Sequence, residues 1–122
     1  MAPFKVFLVE DSPLLRSRLE ALLTSIPGIR VVGFAASASQ AIGEILLAEP
    51  DAVVLDLHLE QGNGFDVMKA LRSRAPAVQV YVLTNFPSEP YRRKAESLGA
   101  RGFFDKSGEF EKLGATLAAA AA

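Results

Sequence analysis

Phe4-Lys5-Val6-Phe7-Leu8-Val9 is followed at once by Glu10-Asp11-Ser12-Pro13. The first six residues are nearly all apolar, which is the pattern of a strand covered on both faces. The two acids end it. Asp11 or Ser12 can cap a helix, and Pro13 suits a first helical turn, where a missing N–H removes no bond. Leu15, Leu19, Leu22 and Ile26 then recur at helical spacing until Pro27-Gly28 stops the run. A doubly covered strand feeding straight into a helix predicts a parallel sheet between helical layers.

Working outward, the alternation repeats. Ile29 to Ala35 reads as a second strand, and Ser37 or Ser39 as the cap of a helix with the stripe Ala38, Ala41, Ile42, Ile45 and Leu46. Glu49-Pro50-Asp51 is a turn, and Ala52 to Leu57 is a third strand, apolar until it meets Asp56. A glycine-containing loop, His58 to Gly64, leads to a helix carrying Val67, Met68, Leu71 and Arg72, which runs to Pro76. Val78 to Leu83 is a fourth strand ending at Thr84-Asn85. The segment 87–98 reads as a helix with Tyr91, Ala95 and Leu98 inward, and 99–104 as a short strand ending near Lys106. The last helix is expected over 107–119 with Phe110, Leu113 and Leu117 inward; Ala118 to Ala122 read as a helix end or the start of a linker. The expectation is one α/β domain over residues 1–122: five βα units, a parallel sheet and helices on both faces, joined by right-handed crossovers.

Composition narrows the function. The chain has 122 residues, 50% hydrophobic, with 13 Lys+Arg against 14 Asp+Glu and no cysteine. That is too apolar for disorder and too balanced for a basic nucleic-acid or membrane-surface platform. Disulfides and thiolate metal sites are excluded. No apolar run reaches the ~18–20 residues of a membrane span, and the acids arrive too early for a signal peptide. The reading is a cytoplasmic domain with no direct nucleic-acid or membrane binding.

Open α/β sheets bind ligands beyond the carboxyl ends of their strands. The polar residues there are Glu10, Asp11, Asp56, Thr84 and Lys106. Carboxylates brought that close raise one another's pKa unless a cation intervenes. Mg²⁺ is the natural one, a hard ion that takes oxygen ligands. Carboxylate, metal, ammonium and hydroxyl together match the needs of phosphoryl transfer, with Asp56 the best acceptor because it stands alone at the end of an apolar strand.

Glu10-Asp11 in FLVEDS, Asp56 in VVLDLHL, Thr84 in VYVLTN and Lys106 in GARGFFDKS occur in order, each at a strand end or just after one, with Gly64 eight residues after Asp56. With these residues the chain resembles a receiver domain of the two-component response regulators, over essentially its whole length. The resemblance implies a flavodoxin-like (CheY-like) sheet of order 2-1-3-4-5. It implies that Asp56 accepts a phosphoryl group from a sensor histidine kinase or a histidine phosphotransfer protein. Asp11, Asp56 and the backbone carbonyl of His58 would ligate Mg²⁺, for which Mn²⁺ can substitute, and Glu10 would act through a metal-bound water. Lys106 would pair with Asp56 at rest and with the phosphoryl group afterwards. Thr84 would bind another phosphoryl oxygen, and Phe103 would fill the space Thr84 vacates. The chain would then be a signalling switch rather than an enzyme, acting on a downstream effector or on a C-terminal output domain absent from this chain, with a homodimer among its possible assemblies.

Four positions depart from the common pattern: Glu60 and Ser107 stand where proline is frequent, Asn85 where a small residue is usual, and Phe103 where tyrosine is frequent. Ser107 leaves the geometry of its peptide bond open, and Asn85 and His58 are candidate modulators at the pocket mouth. PGIRVVGFAAS and Lys106-Ser107 resemble receivers of the LuxR/NarL type. Three alternatives stand beside this reading. One is a phosphorylation-independent pseudo-receiver. Another is a haloacid-dehalogenase-like phosphatase, which wants an acid where His58 stands. The third is a flavodoxin, which wants a Ser/Thr/Gly-rich loop after the first strand. Gly62-Asn63-Gly64 is read as a plain turn, and Arg92-Arg93-Lys94 as a solvated helix face.

Overall fold

A computed structural model describes residues 2–122. It contains β1 (Phe4–Val9), α1 (Pro13–Thr24), β2 (Ile29–Ala35), α2 (Ala38–Ala48), β3 (Ala52–Leu55), α3 (Gly64–Arg74), β4 (Gln79–Thr84), α4 (Glu89–Ser97), β5 (Gly102–Asp105) and α5 (Phe110–Ala121). The strands form one sheet in the order β2-β1-β3-β4-β5, and every pair is parallel. This is the expected flavodoxin-like fold. No helix among the described residues is long and apolar enough to cross a membrane.

The period-two alternation of the strands divides the core in two. Val6 and Leu8 face Leu19 and Leu23 of α1 and Leu113 and Leu117 of α5. Phe7 and Val9 face the other way, with Ile45 of α2, Met68 and Leu71 of α3 and Ala95 of α4. β1 and β3 are therefore sealed on both sides, which is why their sequences are apolar throughout.

Several boundaries differ from the sequence expectation, each for a local reason. Ser12 caps α1 and Ser37 caps α2. In α1 the deeply buried pair is Leu19 and Leu23, while Leu15, Leu22 and Ile26 are half-buried. Leu22 lies to the side, against Gly114 of α5. α4 starts later than expected because the Ser88 hydroxyl accepts from Tyr91 N–H. It ends in a left-handed turn at Gly99 (φ 95°), with Gly99 N–H donating to Glu96 O and Ala100 N–H to Ala95 O, so β5 begins only at Gly102. α5 starts at Phe110 because residues 106–108 are spent on a turn and Glu109 is the N-cap.

The carboxyl ends of β1, β3, β4 and β5 meet along one edge, and the backbone ladder continues into the polar residues there. Asp56 N–H donates to Val9 O (3.0 Å), Glu10 N–H to Ala35 O (3.0 Å) and Lys106 N–H to Thr84 O (2.9 Å).

Candidate functional site

Five residues from four strand ends converge on this edge. Asp56, Glu10 and Thr84 are 5%, 2% and 0% exposed, and the other buried polar residue among the described residues is Ser37. The Lys106 ammonium lies between two of them, 2.6 Å from Glu10 Oε1 and 2.8 Å from Asp56 Oδ2. The second Glu10 oxygen accepts from Ser12 N–H (3.0 Å), and Asp56 Oδ1 accepts from His58 N–H (3.3 Å). Paired in this way, the buried charges offset part of the desolvation cost that an isolated one would bear in full.

Burial is the largest influence on Glu10 and raises its pKa above the ordinary 4.5, against the opposing pull of Lys106 and the Ser12 amide. Burial alone would lower Lys106, but its bonds to Asp56 and Glu10 together outweigh that, and its pKa lies above the usual 10.5. The lysine is therefore a permanent cation near neutral pH.

Glu10, Asp11 and Asp56 each offer a carboxylate oxygen, all within 4.8 Å of one another. Three such acids against one ammonium leave a formal local charge of about −2, and an all-oxygen donor set of this sort suits a hard divalent ion. The residues present thus fit Mg²⁺.

Gly64 owes its place to this edge. A Cβ there would lie 2.5 Å from the Asp56 carbonyl oxygen and 2.9 Å from Leu57 Cα, both backbone atoms. The neighbouring Asn63 opens α3 with a capping box, its side chain accepting from Asp66 N–H while the Asp66 carboxylate accepts from Asn63 N–H. Gly62-Asn63-Gly64 is thus a turn and helix start.

Thr84 Oγ1 accepts from Phe86 N–H (3.1 Å), which leaves the hydroxyl hydrogen to donate elsewhere. Phe103 is 6% exposed, packed in the core beside Ala95. In this conformation the ring is already inward. Asn85 and His58 are exposed at the rim. The His58 ring lies 4.1 Å from the Phe86 ring and 5.8 Å from Tyr91, so the loops after β3 and β4 touch through side chains.

The sequence reading missed the turn that carries Lys106. Asp105 Oδ1 accepts from both Ser107 N–H (2.9 Å) and Ser107 Oγ (2.8 Å), and Glu109 Oε1 accepts from Asp105 N–H (2.9 Å). The Lys106–Ser107 peptide is trans, like all described peptides. Asp two residues before Ser is an Asx-turn signal that could have located part of this arrangement. A groove of about 370 Å³ between α3 and α4, lined by Met68, Leu71 and Leu98 among others, lies at the opposite end of the sheet and gathers no comparable set of charges.

The family profile described as "Response regulator receiver domain" matches residues 6–118. The chain belongs to that family. It is 38% identical over 102 residues to the DNA-binding transcriptional activator DevR/DosR of Mycobacterium tuberculosis, covering 84% of this chain and 47% of that one. It is 35% identical over 115 residues to a protein-glutamate methylesterase/protein-glutamine glutaminase of Carboxydothermus hydrogenoformans, covering 93% and 34%. The receiver chain thus spans about half or less of these two curated relatives. Among solved structures, a LuxR-family two-component response regulator from Aurantimonas superposes with a TM-score of 0.91 at 28% identity, covering 98% of this chain and 86% of that one. Receiver domains are signalling modules, and the relatives that are enzymes or DNA-binding activators carry further sequence beyond the receiver.

Proposed function

We propose that residues 1–122 act as one phosphoacceptor switch in a two-component phosphorelay, with Asp56 as the acceptor. The observation that carries this reading is the Lys106 ammonium bridging Asp56 and Glu10 at 2.8 and 2.6 Å beside the Asp11 carboxylate. An Asp56 carboxylate oxygen attacks the phosphorus of a phosphohistidine on a sensor kinase or phosphotransfer protein. The P–O bond forms, the P–N bond breaks, and the imidazole leaves with the electron pair and takes up a proton.

Asp11, Asp56 and the His58 carbonyl would hold Mg²⁺ or Mn²⁺ directly, and Glu10 through a water. The ion supplies neutralisation of the charge on the phosphoryl oxygens. Lys106 exchanges part of its carboxylate pairing for a phosphoryl oxygen, and the Thr84 hydroxyl donates to another. Because Phe103 is already buried, the proposed switch lies chiefly in Thr84 and the Asn85-Phe86 turn, with Phe103 packing behind them. His58 and Asn85 sit where they would modulate water access to the acyl phosphate. The phosphorylated face would then act on an effector protein, a linked output domain or a second copy of the chain, in the cytoplasm with its kinase.

The test is labelling by a small phosphodonor, phosphoramidate, followed by intact mass. The expected result is one Mg²⁺-dependent phosphoryl adduct on the wild type, none with chelator and none on Asp56→Ala. An unlabelled wild type would favour a phosphate-independent interaction module, and label persisting in Asp56→Ala would remove Asp56 from the role.

A further inference from the structure

β5 is an edge strand of the sheet, and Lys106 follows it directly. One side of this junction is held by the sheet, through Lys106 N–H to Thr84 O at 2.9 Å. The next two residues, Ser107 and Gly108, are exposed. A lysine side chain has four rotatable bonds, so its ammonium is only as well placed as the backbone that carries it.

That backbone is clasped by two acids. Asp105 Oδ1 takes both the amide and the hydroxyl of Ser107, at 2.9 and 2.8 Å. Glu109 stands at the N-cap of α5, yet its side chain caps none of that helix's amides. It reaches back instead to Asp105 N–H at 2.9 Å, a donor on the open edge of β5. The other Glu109 oxygen pairs with Lys112 at 3.2 Å. Giving up a helix cap for a backward bond ties the start of α5 to the residue before Lys106, with Lys106 inside the loop so closed. Hydrogen bonds from Ser107 hold the Asp105 carboxyl below its usual range, and the Asp105 amide does the same for Glu109, so both acceptors are ionised near neutral pH.

We infer that Asp105 and Glu109 are positioning residues for phosphoryl transfer, fixing the backbone on either side of Lys106 so that its ammonium meets the transferring group. The inference rests on the phosphoacceptor reading of Asp56. Neither acid touches the reacting atoms, and their effect passes through Lys106.

The experiment measures the rate of phosphoramidate labelling against donor concentration, with Mg²⁺ affinity by calorimetry. Glu109→Ala is expected to lower the maximal rate by about tenfold, the upper scale of one ordinary hydrogen bond. The Mg²⁺ dissociation constant should stay within about twofold, which a general loosening of the fold would not allow. Glu109→Gln keeps an acceptor for Asp105 N–H and should restore the rate to within about twofold. Lys112→Ala removes the ion pair alone and should label like the wild type. Asp105→Ala breaks the Ser107 bonds separately and should slow labelling as Glu109→Ala does, so the inference stays testable even if Glu109→Ala fails to fold. A wild-type rate in either alanine variant overturns it, as does a Glu109→Gln protein as slow as Glu109→Ala. Failure of the wild type to label sinks the phosphoacceptor reading and this inference with it, an outcome distinct from equal labelling of wild type and variants.

Discussion

Replacing Lys106 by methionine removes the cation and keeps most of the side-chain volume. Glu10 and Asp56 are then left buried, at 2% and 5% exposure, without their common partner. Their carboxylate oxygens lie within 4.8 Å of each other. Two full charges at that separation repel by about 3.5 kcal/mol at an effective dielectric of about 20. The variant can escape by protonating Glu10, whose pKa burial already raises above 4.5. From the ordinary value, that proton costs about 3.4 kcal/mol at pH 7 and about 0.7 kcal/mol at pH 5. Both routes give a loss of about 3 kcal/mol at pH 7, within the span observed when one partner of a buried pair is removed. The sign follows from linkage. A carboxyl with a folded-state pKa raised above its unfolded value binds its proton more tightly when folded, so stability returns as pH falls from 7 toward 4.5. The deficit relative to wild type should therefore shrink to about 1 kcal/mol at pH 5. Urea unfolding in chelator at the two pH values measures it. With a slope of about 2 kcal/mol/M, the midpoint should drop by about 1.5 M at pH 7 and by about 0.5 M at pH 5. An equal deficit at both pH values, or none at pH 7, would refute the account of Lys106 as the neutralising partner.

Two further outcomes are expected. Gly64→Ala forces a Cβ to 2.5 Å from the Asp56 carbonyl oxygen, where the neighbour is backbone and cannot swing away; it should cost about 1–3 kcal/mol in thermal or urea unfolding and slow phosphoramidate labelling as well. The carboxyl groups of Asp105 and Glu109 titrate below their ordinary 3.8 and 4.5 because of the bonds they accept; the stability they contribute is present above those values and is lost as pH falls through the depressed ones. Carboxyl carbon shifts followed by NMR, together with the Asp105 and Ser107 amides, should report that acid transition, and titration at ordinary values would contradict the bonding described.

The sequence disclosed the site more fully than its surroundings because of the topology. A parallel sheet sends every strand's carboxyl end to one edge, so reading Glu10-Asp11, Asp56, Thr84 and Lys106 as strand ends is enough to bring them together. Strand pairing supplies the rest, through the bonds from Asp56 to Val9 and from Lys106 to Thr84. Helix faces were less legible. Spacing alone favoured Leu22 in α1, but Leu23 is the residue beneath the sheet and Leu22 packs toward α5. That difference is a helix rotation set by a partner far along the chain. The Asp105–Ser107–Glu109 clasp was missed because the last helix was expected from 107, which puts Glu109 inside its first turn, and only the fold shows that side chain at the N-cap and turned backward. The contact of His58 with Phe86 depends on two loop conformations that no periodicity encodes.

The distribution of packing gives the site a rigid half and a looser half. Glu10 and Asp56 leave strands sealed on both faces by α1, α5, α2 and α3. Thr84 and Lys106 leave β4 and β5, beside α4, of which Ala95 is the buried residue. Beyond Ala95, α4 is held by the half-buried Tyr91, whose ring lies 5.9 Å from that of Phe65, and by two cations over aromatic rings: Arg92 lies 4.8 Å from the centre of Phe103 and Lys94 lies 4.5 Å from that of Phe65. Such contacts are worth about 0.5–1 kcal/mol at exposed sites, far less than a buried leucine. Local stability follows the density of buried apolar contact, so α4 and the turn before it are the elements that a modest free energy can shift. A phosphoryl group on Asp56 would draw on Lys106 and Thr84, and the bond from Lys106 N–H to Thr84 O joins the two where they enter the looser half. On the phosphoacceptor reading, a change of charge at the rigid half is therefore felt first at the β4–α4 turn and the Arg92–Phe103 contact, because these are where the structure offers least resistance.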